Sequence, residues 1–246
     1  MKENKLTDIM INQFLKDLNI DHDSGTHLFS TSDITSDMRY WAQQEATIII
    51  SHNRLFVRTN NLELTQILQQ KYQDCAAQWF TEMSNLKELE NILNSYGLTI
   101  GNIAPFFLAD KSVTDIDEDY IMIEKDMIEA FKESDFKESF TFDKKFEDVL
   151  GIALEKNQEI VCVSGLNRTG LYTYEIGVHV KENYNHQGFG TKAVQALIYQ
   201  AQKRWPDALI TYGTQWSHTN SLNLAINVDL KLGWTEIMIK RQSVVE

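Results

Sequence analysis

The stretch VHVKENYNHQGFGT, residues 178–191, decides the fold of this 246-residue chain. Alternating valines end a predicted strand at Val180, and apolar residues at helical spacing follow from Val194. Gly188 and Gly190 lie where that helix begins. A strand, a glycine-containing loop and a helix N-terminus form an anion site, because glycine admits a ligand close to the backbone and the first helical amides have no partner. The stretch therefore predicts a phosphate-binding loop, although a plain strand-to-helix turn would use the same glycines.

Two known phosphate-binding loops fit this stretch poorly. Gly188, Gly190 and Ala193 satisfy the G-x-G-x-x-G/A dinucleotide pattern, but residues 181–187 separate the strand from the first glycine. The acidic residue that should end the next strand is also misplaced, since Asp207 precedes that strand. A Walker loop is absent, because no Gly-Lys-Ser or Gly-Lys-Thr occurs in the chain. Both kinds of nucleotide-binding protein are therefore disfavoured.

Outward from the loop, the patterns predict a mixed sheet with packed helices. At the start of the chain we expect a helix with Leu6, Ile9, Met10, Phe14 and Leu18 on one face, followed by a hairpin of 46–50 and 55–57. Helices over 62–96, capped by Gly97, and an extended run over 98–108 come next. Between that run and the loop we expect a strand at 120–123, helices at 126–131 and 142–154, and a hairpin of 160–164 and 171–180. After it we expect a helix to Trp205, a strand at 208–216, a helix at 220–232 capped by Gly233, and a strand at 234–239. The cluster 109–112 is the best candidate for a domain boundary.

Composition and charge exclude several classes of protein. The chain is 43% hydrophobic and carries 35 acidic against 23 basic side chains, a net charge of −12. Such a negative field repels phosphate backbones and anionic membranes, so neither nucleic acid nor a membrane is an expected partner. Cys75 and Cys162 lie far apart without CxxC or histidine at ligand spacing, so no metal site is expected. We expect a cytoplasmic enzyme or binding protein, since no signal peptide or membrane span is recognisable.

The charge is unevenly distributed along the chain. Residues 110–148 hold 14 acidic and 6 basic side chains, whereas residues 149–246 hold 8 and 9. This pattern suits an anionic ligand on the nearly neutral part and a cationic ligand near the acidic segment. A solvated acidic surface explains the segment equally well.

The stretch 178–190 resembles the acetyl-CoA loop of the GNAT superfamily of N-acetyltransferases, whose pattern is Arg/Gln-x-x-Gly-x-Gly/Ala after a β-strand. Ala225 and the Lys-Leu-Gly-Trp at 231–234 resemble the following helix and closing segment of the same superfamily. The resemblance covers residues 110–246 and implies an α/β (α+β) fold with a mixed, mostly antiparallel sheet flanked by helices. A smaller N-terminal α/β domain of unknown role, residues 1–109, would precede it. This layout is similar to acetyltransferases that resemble zwittermicin resistance proteins.

The resemblance implies transfer of acetyl from acetyl-CoA, the cosubstrate, to the amine of a small molecule, with a cationic amine favoured by the acidic segment. Glu175 matches a position where many relatives carry the catalytic base. A backbone N–H near Val178 would polarise the thioester carbonyl. Tyr212, Tyr184 and Asp229 are alternatives for the proton donor to the thiolate. The implied cofactor-binding residues are Val178, Val180, His186, Gln187, Gly188, Phe189, Gly190, Thr191 and Asn220.

Four positions depart from the superfamily pattern. Asn185 replaces an Arg or Gln, and His186 replaces a frequent glycine. Leu222 lies where an Asn is expected, so Asn220 is preferred over Asn223 as its substitute. Asp229 replaces a tyrosine that serves many members as general acid. These departures allow an alternative function, a degenerate domain that binds CoA or a protein partner without catalysis.

Overall fold

The computed structural model describes residues 2–110 and 112–242, with side chains from Lys5 onward; Lys111, part of the predicted boundary cluster, lies outside the described residues. The helices are α1 (Lys2–Leu18), α2 (Leu62–Tyr72), α3 (Met83–Asn94), α4 (Phe189–Arg204) and α5 (Thr219–Asn227). The strands are β1 (Leu28–Thr31), β2 (Ala46–Ser51), β3 (Arg54–Thr59), β4 (Leu98–Leu108), β5 (Ile121–Glu124), β6 (Asp148–Lys156), β7 (Glu159–Arg168), β8 (Thr173–Val180), β9 (Leu209–Gly213) and β10 (Lys231–Arg241).

Contacts divide the chain into two compact units. The C-terminal unit contains residues 2–10 and 107–232, and its strands follow the order β9-β8-β7-β6-β5. β5 to β8 pair antiparallel, whereas β8 and β9 are parallel. The apolar face of α4 packs on this sheet, because Val194, Leu197 and Ile198 share a buried cluster with Leu150 and Ile176. This packing holds the start of α4 beside the end of β8.

The N-terminal unit contains residues 11–106 and 233–242, and its strands follow the order β1-β3-β2-β10-β4. β2 pairs antiparallel with both β3 and β10, whereas β1 and β3 are parallel. α2 and α3 cover a core that includes Leu64, Leu68, Leu89, Leu93 and Ile237. The unit is thus a small mixed sheet with its own hydrophobic core.

These units differ at both chain ends from the predicted single division into residues 1–109 and 110–246. Residues 2–10 group with the C-terminal unit, and residues 233–242 group with the N-terminal unit. Residues 233–242 group with the N-terminal unit because β10 pairs with the edge of β2, where Glu236 lies opposite Ile49. Pairing between segments so distant in sequence leaves no periodic signal.

The structure confirms most predicted elements, including the fold class of a mixed, mostly antiparallel sheet with helices. Two element predictions are wrong. The segment 142–154 is not a helix: β6 begins at Asp148, whose carboxylate accepts hydrogen bonds from the amides of Thr141 at 3.0 Å and Phe142 at 2.8 Å. The loop that these hydrogen bonds close has a sequence pattern similar to the start of a helix. Gly233 is not a helix cap either, since α5 ends at Asn227 and Gly233 lies inside β10.

Candidate functional site

The loop between β8 and α4 has an unusual backbone shape. Gly188, the N-cap of α4, has φ +83°, and His186 has φ +60°. Both lie in the left-handed region, which glycine adopts freely and histidine at a cost of about 1 kcal/mol. The first helical bond runs from Lys192 N to Gly188 O at 3.1 Å. The amides of residues 189–191 therefore lack an intrahelical partner and are available to an anion.

β8 and β9 part beside this loop. The last described pair of their parallel ladder is Glu175 with Thr211, whereas β8 continues to Val180 and β9 to Gly213. Among the described residues, no pair continues the ladder beyond that point. Backbone groups of β8 that face β9 are therefore open to an extended ligand.

A cavity of about 610 Å³ lies between the diverging strands and the loop, a volume typical of small-molecule sites. It brings together eight of the nine predicted cofactor-binding residues, namely Val178, Val180, His186, Gly188, Phe189, Gly190, Thr191 and Asn220. The ninth, Gln187, lies outside the lining. Its amide donates to Asn183 O at 3.1 Å and accepts from Lys156 Nζ at 3.0 Å. That these residues hold a cofactor stays a prediction.

The second wall of the cavity is one face of α5 along its whole length, which sequence reasoning largely missed. Its lining residues there are His218, Asn220, Ser221, Asn223, Leu224 and Asn227. The signal was present in the sequence: Asn220, Asn223 and Asn227 recur at spacings of three and four, which places three amides on one helix face. An amide-rich face offers both donors and acceptors to a ligand.

The two helices approach each other closely at the floor of the cavity. A Cβ atom on Gly190 would lie 3.1 Å from Leu224 Cδ1 and 3.3 Å from Val180 Cγ2. Gly190 therefore allows the first turn of α4 to lie between β8 and α5. The glycine-containing loop and the available amides at the helix start fit a diphosphate.

The three candidate proton donors differ in position. Tyr212 lines the cavity and is only 5% exposed. Burial raises the pKa of its hydroxyl above the ordinary value of 10.0, and a hydrogen bond with Ser221 works in the opposite direction. Tyr184 also lines the cavity, but its hydroxyl donates to Glu159 Oε2 at 3.2 Å. Asp229 lies outside the lining, at φ +59°.

Glu175, the predicted base, does not line this cavity. Side chains alternate along β8, and Tyr174 and Ile176 both pack in the core with α4. Glu175 therefore belongs to the other face of the sheet, which also carries Gly177 and His179. On that face the ring of Phe136 lies 5.9 Å from that of His179. Its catalytic role stays a prediction.

Other potentially reactive groups are accounted for by packing. Cys162 is buried, and burial raises the pKa of its thiol to about 12. His27 accepts from the amide of Leu55 at Nδ1 and contacts Cys75 O at 2.9 Å through Nε2.

No group of three His, Cys, Asp or Glu side chains suited to a metal ion occurs within residues 2–110 and 112–242. None of the described helices is long and apolar enough to cross a bilayer.

The family model for GNAT acetyltransferases matches residues 35–234. No curated protein matches the chain. A solved GCN5-related N-acetyltransferase-like protein from Streptococcus suis is similar over 93% of this chain and 99% of its own, with 13% identity and a TM-score of 0.48. A GCN5-related N-acetyltransferase from Kribbella flavida is similar over 63% of this chain and 64% of its own, with 16% identity and a TM-score of 0.45. Because the matched region spans most of the sequence and includes the loop and both cavity walls, this chain belongs to the GNAT acetyltransferase family.

Proposed function

We propose that this chain transfers the acetyl group of acetyl-CoA to the amine of a small cationic molecule. The observation that carries the proposal is the cavity between β8 and β9, which joins an open strand edge to the available amides of α4. A pantetheine arm can extend along Val178 and Val180, and a diphosphate can accept from the amides of residues 189–191. Membership of a GNAT acetyltransferase family supports acyl transfer as the reaction class.

The charge of residues 110–148 supports a cationic acceptor. Several carboxylates of this segment form ion pairs, such as Glu118 with Lys192 and Glu124 with Arg204. Others, including Asp117, remain outside the ion pairs formed among the described residues. The segment therefore keeps a negative field that would concentrate a cationic amine. If neutral or anionic amines were acetylated as well as cationic ones, this part of the proposal would be wrong.

Two side chains are proposed to move protons. Glu175 lies at the last paired position of β8, where the strands begin to part, and would accept a proton from the amine through water. The neutral amine nitrogen would bond to the acetyl carbon as the carbon–sulfur bond breaks, and the nitrogen would release its remaining surplus proton to water. Tyr212 would donate its proton to the leaving thiolate, because its raised pKa keeps the hydroxyl protonated. Holding both reactants in one site lowers the barrier by several kcal/mol.

A thermal shift of the purified chain with acetyl-CoA, CoA and NAD tests the proposal. A ligand at a hundred times its dissociation constant adds about 2.7 kcal/mol to the free energy of unfolding. We expect stabilisation by acetyl-CoA and CoA but not by NAD, and its loss in Gly188→Val. Acetylation of an amine panel would then identify the acceptor class. No stabilisation by either CoA species would refute the transferase proposal.

A second function, binding of CoA without turnover, is favoured by the departures at Asn185 and Asp229. Backbone amides, which carry most diphosphate binding in such a cradle, do not depend on these side chains. Stabilisation by CoA together with no acetylation of cationic, neutral and anionic amines would support this second function over catalysis.

A further inference from the structure

Lys156 is held against the loop although it comes from a different strand. It is the last residue of β6, and its ammonium donates to Gln187 Oε1 at 3.0 Å. The same ammonium lies 5.6 Å from the ring centroid of Tyr184 and 5.5 Å from that of Phe189. Both rings belong to residues that line the cavity. Three neutral groups thus place one positive charge at the rim of the cavity.

The other lysines beside the loop are neutralised by carboxylates. Lys181 pairs with Glu159 at 2.8 Å, and Lys192 pairs with Glu118. Lys156 forms no ion pair with any carboxylate in the part of the chain that the structure describes. An amide oxygen and ring faces stabilise an ammonium without compensating its charge. A cation without an ion-pair partner at this rim contrasts with the net charge of −12.

We propose that Lys156 binds the 3′-phosphate of coenzyme A, an inference that rests on the function proposed above. Residues 189–191 line the cavity and their available amides suit the diphosphate, whereas Lys156 and Gln187 lie outside the lining. A phosphomonoester carries nearly two negative charges at neutral pH and forms strong charge-assisted hydrogen bonds with an ammonium. Gln187 is a positioning residue, because its amide links Asn183 O to the Lys156 ammonium.

Calorimetric dissociation constants for CoA and 3′-dephospho-CoA, measured on the full chain, test this inference. Lys156→Met keeps an apolar stem over the two rings but removes the charge. We expect it to weaken CoA binding on the order of tenfold, equivalent to the loss of one charge-assisted hydrogen bond, and to leave dephospho-CoA binding unchanged. Lys156→Arg should restore CoA binding. Lys203→Met is the matched control, since Lys203 lies over the Tyr199 ring at 5.1 Å on the last turn of α4.

The outcomes separate this inference from the proposed function. Equal CoA affinity in Lys156→Met and the unchanged chain would overturn the inference while leaving the CoA site intact. Equal weakening of both ligands would also overturn it, because the cation would then act on the diphosphate. If the unchanged chain bound neither ligand, the proposed function itself would fail. Unchanged thermal midpoints of the variants without ligand confirm that folding is not the cause.

Discussion

At the scale of single residues, the loop depends on backbone conformation more than on side-chain contact. A Cβ atom on Gly188 would meet nothing within 4 Å, yet its φ of +83° disfavours any L side chain. His186 has φ +60°, a left-handed conformation that also costs conformational free energy for a residue with a side chain. Its position lines the cavity, so the strain is located at the proposed site. Substitutions there should separate backbone strain from steric crowding.

Gly188→Ala should lower the free energy of unfolding by about 1 kcal/mol and weaken CoA binding, because alanine resists the left-handed conformation. His186→Gly should retain binding, since glycine adopts the same φ freely. Urea denaturation and calorimetry measure the two effects. Gly25→Ala is the control, because its Cβ would meet only His27 O at an ordinary 3.4 Å and its φ is not positive. A fully stable, tightly binding Gly188→Ala would contradict this explanation.

Tyr212→Phe should lower kcat while leaving the dissociation constant of acetyl-CoA nearly unchanged, because the substitution removes the hydroxyl group and keeps the ring. Burial raises the pKa of Tyr212 above 10.0, so deprotonation of this residue should not reduce activity below pH 10. A pH–rate profile from pH 6 to about pH 10 checks the direction of the Tyr212 pKa shift. Tyr184→Phe serves as the control, because Tyr184 also lines the cavity but its hydroxyl donates to Glu159. Equal losses in both variants would exclude a specific donor role for Tyr212.

At the scale of elements, three glycines align across neighbouring strands. Gly151 on β6 pairs with Gly165 on β7, which pairs with Gly177 on β8. A Cβ on Gly165 or Gly177 would lie 2.1 or 2.6 Å from Ser139 O, and one on Gly151 would lie 2.8 Å from the Phe140 ring. The row of glycines therefore lets the segment around Ser139 lie flat on the sheet. Sequence periodicity shows none of this, since each glycine looks like an isolated strand defect.

Gly165→Ala should destabilise the chain by about 1–3 kcal/mol, because the added methyl group cannot avoid the Ser139 carbonyl without a backbone shift. Chemical denaturation of the purified variant measures the change. Gly101→Ala in β4 is a strand control with milder contacts, since a Cβ there would lie 3.1 and 3.2 Å from side-chain atoms of the flexible Lys240 and 3.3 Å from Met238 O. Equal destabilisation of the two variants would show that strand propensity, not the contact with Ser139, sets the effect.

At the scale of the whole molecule, distant segments meet in a buried ionic network within the N-terminal unit. Arg39 bonds Asp17 at 2.5 Å and Glu236 at 2.7 Å, and all three are at most 2% exposed. Its guanidinium also lies 5.4 Å from the ring centroid of Phe14 and 4.9 Å from that of Trp234. Burial raises the pKa of Asp17, against the opposing charge of Arg39. The network joins α1 to β10 across almost the full sequence.

Arg39→Met should lower the free energy of unfolding by about 3–5 kcal/mol at pH 7.5, because two buried carboxylates lose the cation that pairs with both of them. Without Arg39, the pKa of the Asp17 carboxyl rises further in the folded state. The folded variant then binds protons more tightly than the unfolded chain, so its stability should increase as pH falls toward 5. Urea midpoints at both values measure this change. A variant whose deficit grew at pH 5 would contradict the assigned cause.

The sequence by itself determined most of the helices and strands and the position of the glycine-containing loop between β8 and α4. Alternation and helical spacing report which faces of a segment are buried, and Gly188 and Gly190 mark where the backbone must turn. Tertiary structure alone decided the parting of β8 and β9, the α5 wall and the approach of Lys156 to Gln187. The reason is physical: periodicity records the environment of each segment, whereas strand register and contacts between distant residues arise only when the segments pack together.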